Sequence, residues 1–578
     1  MEQILRKPYM QATEKKPLNL VLMWHMHQPE YRNLGTGEYH LPWTYLHAIK
    51  DYVDMAAHIE RNDGARAVVN FAPVLLDQLE DYGTQIDSYF TTGREIKDQL
   101  LRFLVCDDAY RSDTTQREWL INACLKANEE HLVRRYPAFS ALVNTARSHL
   151  EAGTLGYLYR QFFIDLNVWY HLAWTGESIK RDNLIIRHLL QKESNYSPED
   201  RENLLRVIGE QIRSIIPRYR ELALEGKIEL CMSPYSHPMV PLLLDFASAQ
   251  ESQPEAPLPE HSQYPDGESR ANWHILEGRK VFEKWFGFEP KGCWPSEGGV
   301  SDATVKLLAG HGFDWVATGD TVLHNCFRDH PDEMLRECRH SSFKQSDTDT
   351  HLFFRDDGLS DLIGFTYSKW HADDAVSDLI QHLHNIHGHC DGDRETIVSI
   401  ILDGENAWEY YPENGYHFLD ALYRRLSEDP AINLTTYSEH LGNSPDTREL
   451  PGIVSGSWVY GTFSTWIGDP DKNRAWDMLC AAKTAVDEYI AANPDKGSDK
   501  ALLAQLAVCE GSDWFWWFGD YNPSGAVQDF DRLYRQNLKN LYHLIDQQPP
   551  SSLDIPLSQG NTGIGEDAEA GGVMRRGS

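Results

Sequence analysis

Residues 399–415 read SIILDGENAWEYYPENG, and the order of residue types within them decides how the rest of the chain is read. An apolar run over 397–402 ends in Asp403 and Glu405, and Trp408, Tyr410 and Tyr411 follow within a few residues. A run that is apolar at almost every position fits a strand buried on both faces, the usual condition of a parallel strand covered by helices. Polar residues just past such a strand stand at its C-terminal end, where α/β barrels carry their active sites. Two readings fit the stretch. One is a solvated acidic turn beside core aromatics; the other is a sugar site, with carboxylates for proton transfer and aromatic faces for pyranose rings.

Similar runs recur upstream. LNLVLMWHMHQ, ARAVVNFAPV, KIELCMSPYS, KGCWPSEG, FDWVATGD and LSDLIGFTYS precede ETIVSIILDG, separated by helical stretches. Such alternation predicts an α/β architecture, either a barrel or a doubly wound sheet. No GxGxxG or GxxxxGK[ST] follows any of the runs, which removes the main support for nucleotide binding. Residues 91–225 are rich in helical patterns and read as a helical insertion, while the proline-containing stretch 243–272 reads as a long exposed loop. After about residue 440 the pattern is again mainly helical. The expected organisation is an N-terminal extension (1–17), a catalytic barrel region (18–440), a helical C-terminal domain (441–548) and a Gly- and Ser-rich disordered tail (549–578).

Charge narrows the partners. In 578 residues, 54 Lys and Arg stand against 87 Asp and Glu, a formal net of −33. That field repels a polyanion, so nucleic acid is not an expected partner. A neutral ligand meets no such penalty, and 17 Trp and 27 Tyr supply faces for one. The N-terminal residues lack the apolar core of a secretory signal, and no apolar stretch is long enough to span a membrane. Nine cysteines without CxxC spacing suggest neither a disulfide framework nor a zinc finger. The expectation is a soluble cytoplasmic protein with reduced thiols and no cofactor.

Reading the residues just past each run gives a consistent set. The first run ends WHMHQPEY, and the two-residue strand period puts His25 and His27 on one face. The third contains Glu229 and ends SPYSHP, offering His237; the fourth ends CWPSEGG, offering Trp294 and Glu297. The His pair fits a metal site, a sugar contact or a structural role equally well. Glu297 fits a turn as well as a site, although Gly298 and Gly299 let backbone and ligand approach closely. Glu229 lies inside a strand and needs a partner there, because an unpaired buried carboxylate is costly. Arg355, Asp356 and Asp357 read as a salt-bridged support more than as catalysts.

WHMHQPEY, GKIELCMSPYSHPMVPLL, GCWPSEGGVSD, ILDGENAWEYY and EGSDWFWWFGD occur in this order over residues 24–520. The series resembles the conserved regions of glycoside hydrolase family 57, in particular its amylopullulanase-like and α-amylase-like members. The resemblance covers most of the chain outside the tail. It implies an incomplete (β/α)7 barrel followed by a helical domain that contributes to the active site. It also implies a retaining glycosidase acting on α-glucans such as starch, glycogen or maltooligosaccharides. Carried over by position, the nucleophile falls on Glu297 and the general acid/base on Asp403. His25, His27, Glu229, Glu405 and Asp513 fall on substrate-contacting positions. His237 stands beside them, and Trp294, Trp408 and Trp514 offer apolar faces. The Trp-rich SDWFWW departs from the glucanotransferase-like members, so hydrolysis and 4-α-glucanotransfer both stay open. From a different class, a metal-dependent carbohydrate deacetylase would use His25, His27, His237 and Asp403 as ligands. It leaves Glu297 and the fifth stretch without a role.

Overall fold

The computed structural model describes residues 15–106, 114–329, 339–390, 395–405 and 407–561. Most of the expected N-terminal extension (1–14) and the end of the expected tail (562–578) lie outside the described residues. The described strands are β1 (Leu18–Met26), β2 (Ala67–Phe71), β3 (Ile228–Met232), β4 (Gly292–Cys293), β5 (Trp315–Gly319), β6 (Ser342–Lys344), β7 (His351–Arg355), β8 (Ile397–Asp403), β9 (Ile432–Leu434) and β10 (Thr447–Glu449). Seven of them run parallel in the order β7-β5-β4-β3-β2-β1-β8, and β8 meets β7 again through the single pair Arg355–Ser399. Two bonds reinforce that closure: Asp356 N–H donates to Ser399 O (2.7 Å) and Arg355 Nε to Ile401 O (2.8 Å). The chain therefore adopts the expected (β/α)7-type barrel. β6 lies antiparallel on β7 and carries β10, while β9 pairs with the start of β1.

Burial on both faces explains the apolar runs. Val21 and Met23 of β1 join Val68, Cys231, Ala317, Phe353 and Ile401 in a small cluster inside the barrel. Leu18, Leu20, Leu22, Trp24 and Met26, one residue out of phase, enter the large core beneath the helices. Each strand thus serves two apolar environments and has no solvent face to mark with polar residues.

One of the seven sequence runs is not a strand. LSDLIGFTYS forms the helix Asp357–Asp361 and the wider turn Leu362–Thr366, started by Asp356, whose carboxylate accepts from Leu359 N–H (2.9 Å). Its buried residues Leu359, Ile363 and Tyr367 recur every four positions, which is a helix stripe. The barrel strand is β7, HLFFR, immediately before it.

The N-terminal end of the barrel is plugged by the helix Tyr437–Gly442, whose Tyr437 ring packs on Phe353 (4.3 Å) and Trp315 (4.4 Å). Glu229 belongs to this plug. Its carboxyl accepts from Trp315 Nε1 (2.7 Å), Ser438 N–H (2.9 Å) and Ser438 Oγ (2.6 Å). The expectation that Glu229 contacts substrate is therefore corrected: it holds the floor of the barrel together. It is in register with Val68 and, through it, with Met23, about 7 Å along the strand direction below His25.

Between β2 and β3 every described element is helical, ending in the 27-residue helix Pro198–Leu224. Ser197 and Asp200 cap its start reciprocally, satisfying two of the donors that a helix leaves open. After β10 come the helices Pro470–Ala492, Lys500–Cys509, Asp513–Trp517 and Ser524–Leu544. They are tied to the helix Gly267–Phe286 by Glu510, which is fully buried. Its carboxylate accepts from Arg270 Nη2 (2.7 Å), Arg270 Nε (2.8 Å) and Tyr264 OH (2.7 Å), and His274 Nε2 lies 2.8 Å away. Residues 549–561, expected to be disordered, are packed: Leu553 and Leu557 are buried, and Leu557 N–H donates to Asp531 (2.8 Å). Among the described residues no helix is long and apolar enough to cross a membrane.

Glu510→Gln leaves Arg270 buried without its counter-charge, a loss of about 3–5 kcal/mol. Although burial raises it, the carboxyl is held far below its ordinary 4.5 by Arg270 and His274, so its contribution is complete above that value and shrinks as pH falls beneath it. Urea unfolding should show the full deficit at pH 7 and a smaller one at pH 3.

Candidate active site

The inward face of β1 continues past Met23 to His25, and the register places Asn70 of β2 and Asp403 of β8 on either side of it. Asn70 Oδ1 lies 2.6 Å from His25 Nδ1 and also accepts from Ser233 Oγ (3.0 Å). An amide oxygen only accepts, so the proton of His25 sits on Nδ1. Burial, followed by the neighbouring His27, pushes the pKa of His25 down to about 3, and the ring is neutral. His27 and His237 stack on each other at 3.9 Å, and His25 lies 5.0 Å from His237. The pKa of His237 is likewise driven well below the usual range by burial and by the other two rings.

β4 is short because Trp294 is followed by Pro295, which has no N–H for the ladder. Gly292 accommodates the indole of Trp315, which a Cβ would meet at 1.9 Å. The chain then turns sharply, with Glu297 at φ 59° and Gly298 at φ 59°. This turn carries the Glu297 carboxyl into the barrel mouth, where it is 1% exposed. Trp458 Nε1 donates to one of its oxygens (3.2 Å) and Ser512 Oγ to the other (3.3 Å). Ser512 in turn lies 3.0 Å from His237 Nδ1, so a chain of donors runs His237, Ser512, Glu297. The pKa of Glu297 is well above that of an ordinary carboxyl, through burial first and then the charges of Asp513 and Asp403.

Asp403 ends β8 directly opposite His25, and of the four carboxyls at the mouth it alone is partly exposed. Glu405, two residues on, is buried; one oxygen accepts from Gln28 Nε2 (3.2 Å), Tyr52 OH (3.2 Å) and His27 N–H (3.3 Å). Its other oxygen has no partner among the described residues. Burial and the charge of Asp403 raise its pKa well above 4.5. The C-terminal helices supply Asp513, whose carboxylate accepts from His27 Nε2 (2.8 Å). That contact leaves His27 Nδ1 without a partner among the described residues, as is His237 Nε2.

The structure thus brings together His25, His27, His237, Glu297, Asp403, Glu405 and Asp513, with Trp294 fully buried beneath His25 (6.3 Å). It does not bring in two of the expected tryptophans. Trp408 is 1% exposed, donates to Gly404 O and packs on Trp24, Tyr411 and Phe418. Trp514 is equally buried, donates to Val508 O and packs on Phe530 and Tyr534. Both hold helices together and present no face to a ligand. Arg355 takes the supporting role expected of it, paired with Asp357 (2.7 Å) and Asp361 (2.8 Å).

Sequence reading missed Trp458, Ser512, Asn70 and Tyr52. Asn70 had a signal, as the polar residue in an apolar strand. Trp458 had none: it lies after β10 in GSWVYG, a stretch without periodicity, and reaches the site because its own N–H donates to Glu297 O (3.2 Å). Two residues on, Tyr460 is 54% exposed at φ 57°, a conformation non-glycine residues rarely adopt.

The sequence pattern described as Glycosyl hydrolase family 57 matches residues 21–451. No curated protein matches the chain. Among solved structures, a GH57-type branching enzyme from Pyrococcus horikoshii superposes with TM-score 0.54 at 15% identity, covering 97% of this chain and 98% of that one. An α-amylase from Thermotoga maritima gives TM-score 0.53 at 14% identity over 93% and 95%. A 4-alpha-glucanotransferase from Thermococcus litoralis gives 0.50 at 13% over 92% and 60%. At these identities the superpositions speak to the fold, while the sequence pattern spans most of the chain and both central carboxylates: the chain belongs to glycosyl hydrolase family 57.

Proposed function

We propose that the protein is a retaining α-glucan hydrolase that works by double displacement, with Glu297 as nucleophile and Asp403 as general acid/base. The observation that carries this reading is their placement. They leave β4 and β8, which stand across the seven-strand ring from one another, at the same C-terminal mouth. Retaining enzymes need two such carboxyls flanking the scissile bond, about 5–5.5 Å apart. In the first step Glu297 attacks the anomeric carbon while Asp403 gives its proton to the departing oxygen. In the second, Asp403 takes a proton from water, or from a sugar hydroxyl in a transfer reaction, and the new oxygen displaces Glu297. Trp458 N–H and Ser512 O–H hold the charged form of the nucleophile. The acid, Asp403, sits where it is partly open to solvent.

The rest of the site suits an uncharged polyol. His27 Nδ1 and His237 Nε2 can meet ring hydroxyls, and Tyr460, two residues from Trp458, offers an exposed face. That the superposed structures are a branching enzyme, an α-amylase and a 4-alpha-glucanotransferase supports α-glucans as the substrate class. On this reading residues 18–440 form the catalytic region, and residues 441–548 complete it through Trp458, Ser512 and Asp513. The eight described cysteines are free thiols, which suits a cytoplasmic location.

A second reading has one observation in its favour: His27, His237 and Asp513 each place a ligand atom within 4.8 Å of the others, as a metal-dependent hydrolase would need. Against it, the His27 and His237 rings stack nearly parallel (23°), and His27 Nε2 is engaged by Asp513.

Glu297→Gln should lower turnover on maltooligosaccharides by several orders of magnitude, and azide should partly restore cleavage in Glu297→Gly. Near-normal activity in a folded Glu297→Gln would refute the assignment. Product analysis on maltooligosaccharides, pullulan and glycogen then separates hydrolysis from transfer and α-1,4 from α-1,6 cleavage. Activity should survive dialysis against a strong chelator; loss restored by zinc would favour the metal reading. Burial, followed by the charge of Asp403, raises the pKa of Glu405 in the fold, so this group's contribution to stability is complete below 4.5 and is lost as pH rises above it. Glu405→Gln removes that dependence, and its Tm relative to wild type should rise between pH 5 and pH 8.

A further inference from the structure

The loop leaving β1, two helices of the insertion and the last long helix meet around a cavity of about 240 Å³, lined by Tyr39, His40, Gln99, Trp119, Asn122 and Asp529 among others. None of these residues belongs to the barrel mouth. We propose that this cavity is an accessory α-glucan site, which holds one part of a long substrate while another part occupies the catalytic mouth. The inference rests on the substrate class proposed above.

Three features select a neutral sugar. The Trp119 ring stacks on Phe103 at 5.6 Å and 19° and is only half-buried. It is thus backed on one side and open on the other, the arrangement that pairs with the C–H face of a pyranose. The charges at the cavity are already engaged. Asp529 accepts from both Lys126 (3.0 Å) and Arg532 (3.0 Å), and Asp98 accepts from Leu101 N–H (3.0 Å) and Tyr82 OH (2.8 Å). What remains for a ligand is uncharged and polar: the amides of Gln99 and Asn122, and His40. His40 Nε2 is buried without a partner among the described residues. Burial and the nearby Arg532 lower the pKa of His40, so the ring offers a neutral nitrogen to a hydroxyl.

Position links the cavity to catalysis. His40 N–H donates to Tyr31 O (3.0 Å), Tyr31 OH to Gln28 Oε1 (3.1 Å), and Gln28 Nε2 to Glu405 (3.2 Å). One short loop therefore connects the cavity to the barrel mouth, and the C-terminal helices border both.

The test uses the full-length chain. Affinity electrophoresis through glycogen compares Glu297→Gln alone with the same variant carrying Trp119→Ala or Asn122→Arg. Asn122 is exposed, so the second change crowds the cavity without touching the core. Both are expected to weaken retention about fivefold or more. In the otherwise wild-type chain, each should raise KM for glycogen severalfold while leaving kcat/KM for maltotriose unchanged. If retention and KM are unchanged in the folded Asn122→Arg variant, the accessory site is overturned. If the wild-type protein cleaves no maltotriose at all, it is the catalytic reading that fails.

Discussion

A carboxylate shut away from water has to be met by protein donors, and at Glu510 four of them converge from Tyr264, Arg270 and His274. Everything that the C-terminal helices contribute to the mouth follows from that knot. Immediately after it, Gly511 pairs with Pro238 and Ser512 N–H donates to His237 O (2.8 Å). The next two side chains then fall on Glu297 and His27. The helical region is thus joined to the barrel at the turn that presents His237, and it brings Ser512 and Asp513 to the mouth.

The mouth is organised to minimise fixed charge. Burial moves the pKa values of Glu297 and Glu405 up and those of His25 and His237 down, and each shift favours the neutral form. At Glu297 two donors, Trp458 N–H and Ser512 O–H, act against that shift by holding the ionised form. Local backbone strain belongs to the same design. Glu297 and His237 both sit at φ 59°, which costs on the order of 1–3 kcal/mol each. The carbonyl of each is held by an N–H from the later part of the chain, Trp458 for Glu297 and Ser512 for His237.

What could be read from the sequence was whatever a strand or a strand end imposes locally. The apolar runs, the shared face of His25 and His27, and the carboxyls past β4 and β8 all follow from a two-residue period and burial on both faces. Glu229 shows where that logic stops: a polar residue in a buried strand must have a partner, but periodicity does not say at which end of the barrel. Trp408 and Trp514 show the same limit for aromatics, since an indole beside a loop at the barrel mouth packs equally well into helices or onto sugar. Trp458 and Ser512 depended on contacts across more than 150 residues, which no local pattern encodes.

The single rung between β7 and β8 gives the barrel an asymmetric stiffness. β8 is laced to β1 along seven paired positions but to β7 at only one. A strand so held moves with its better-bonded neighbour, so Asp403 and His25 travel as a unit when the ring breathes. The dimension left adjustable is the gap between that pair and Glu297 on the far wall. The far wall is lightly laced as well, because β4 is paired with β3 at one position and with β5 at two, so the width of the mouth is set by the two seams with the fewest rungs.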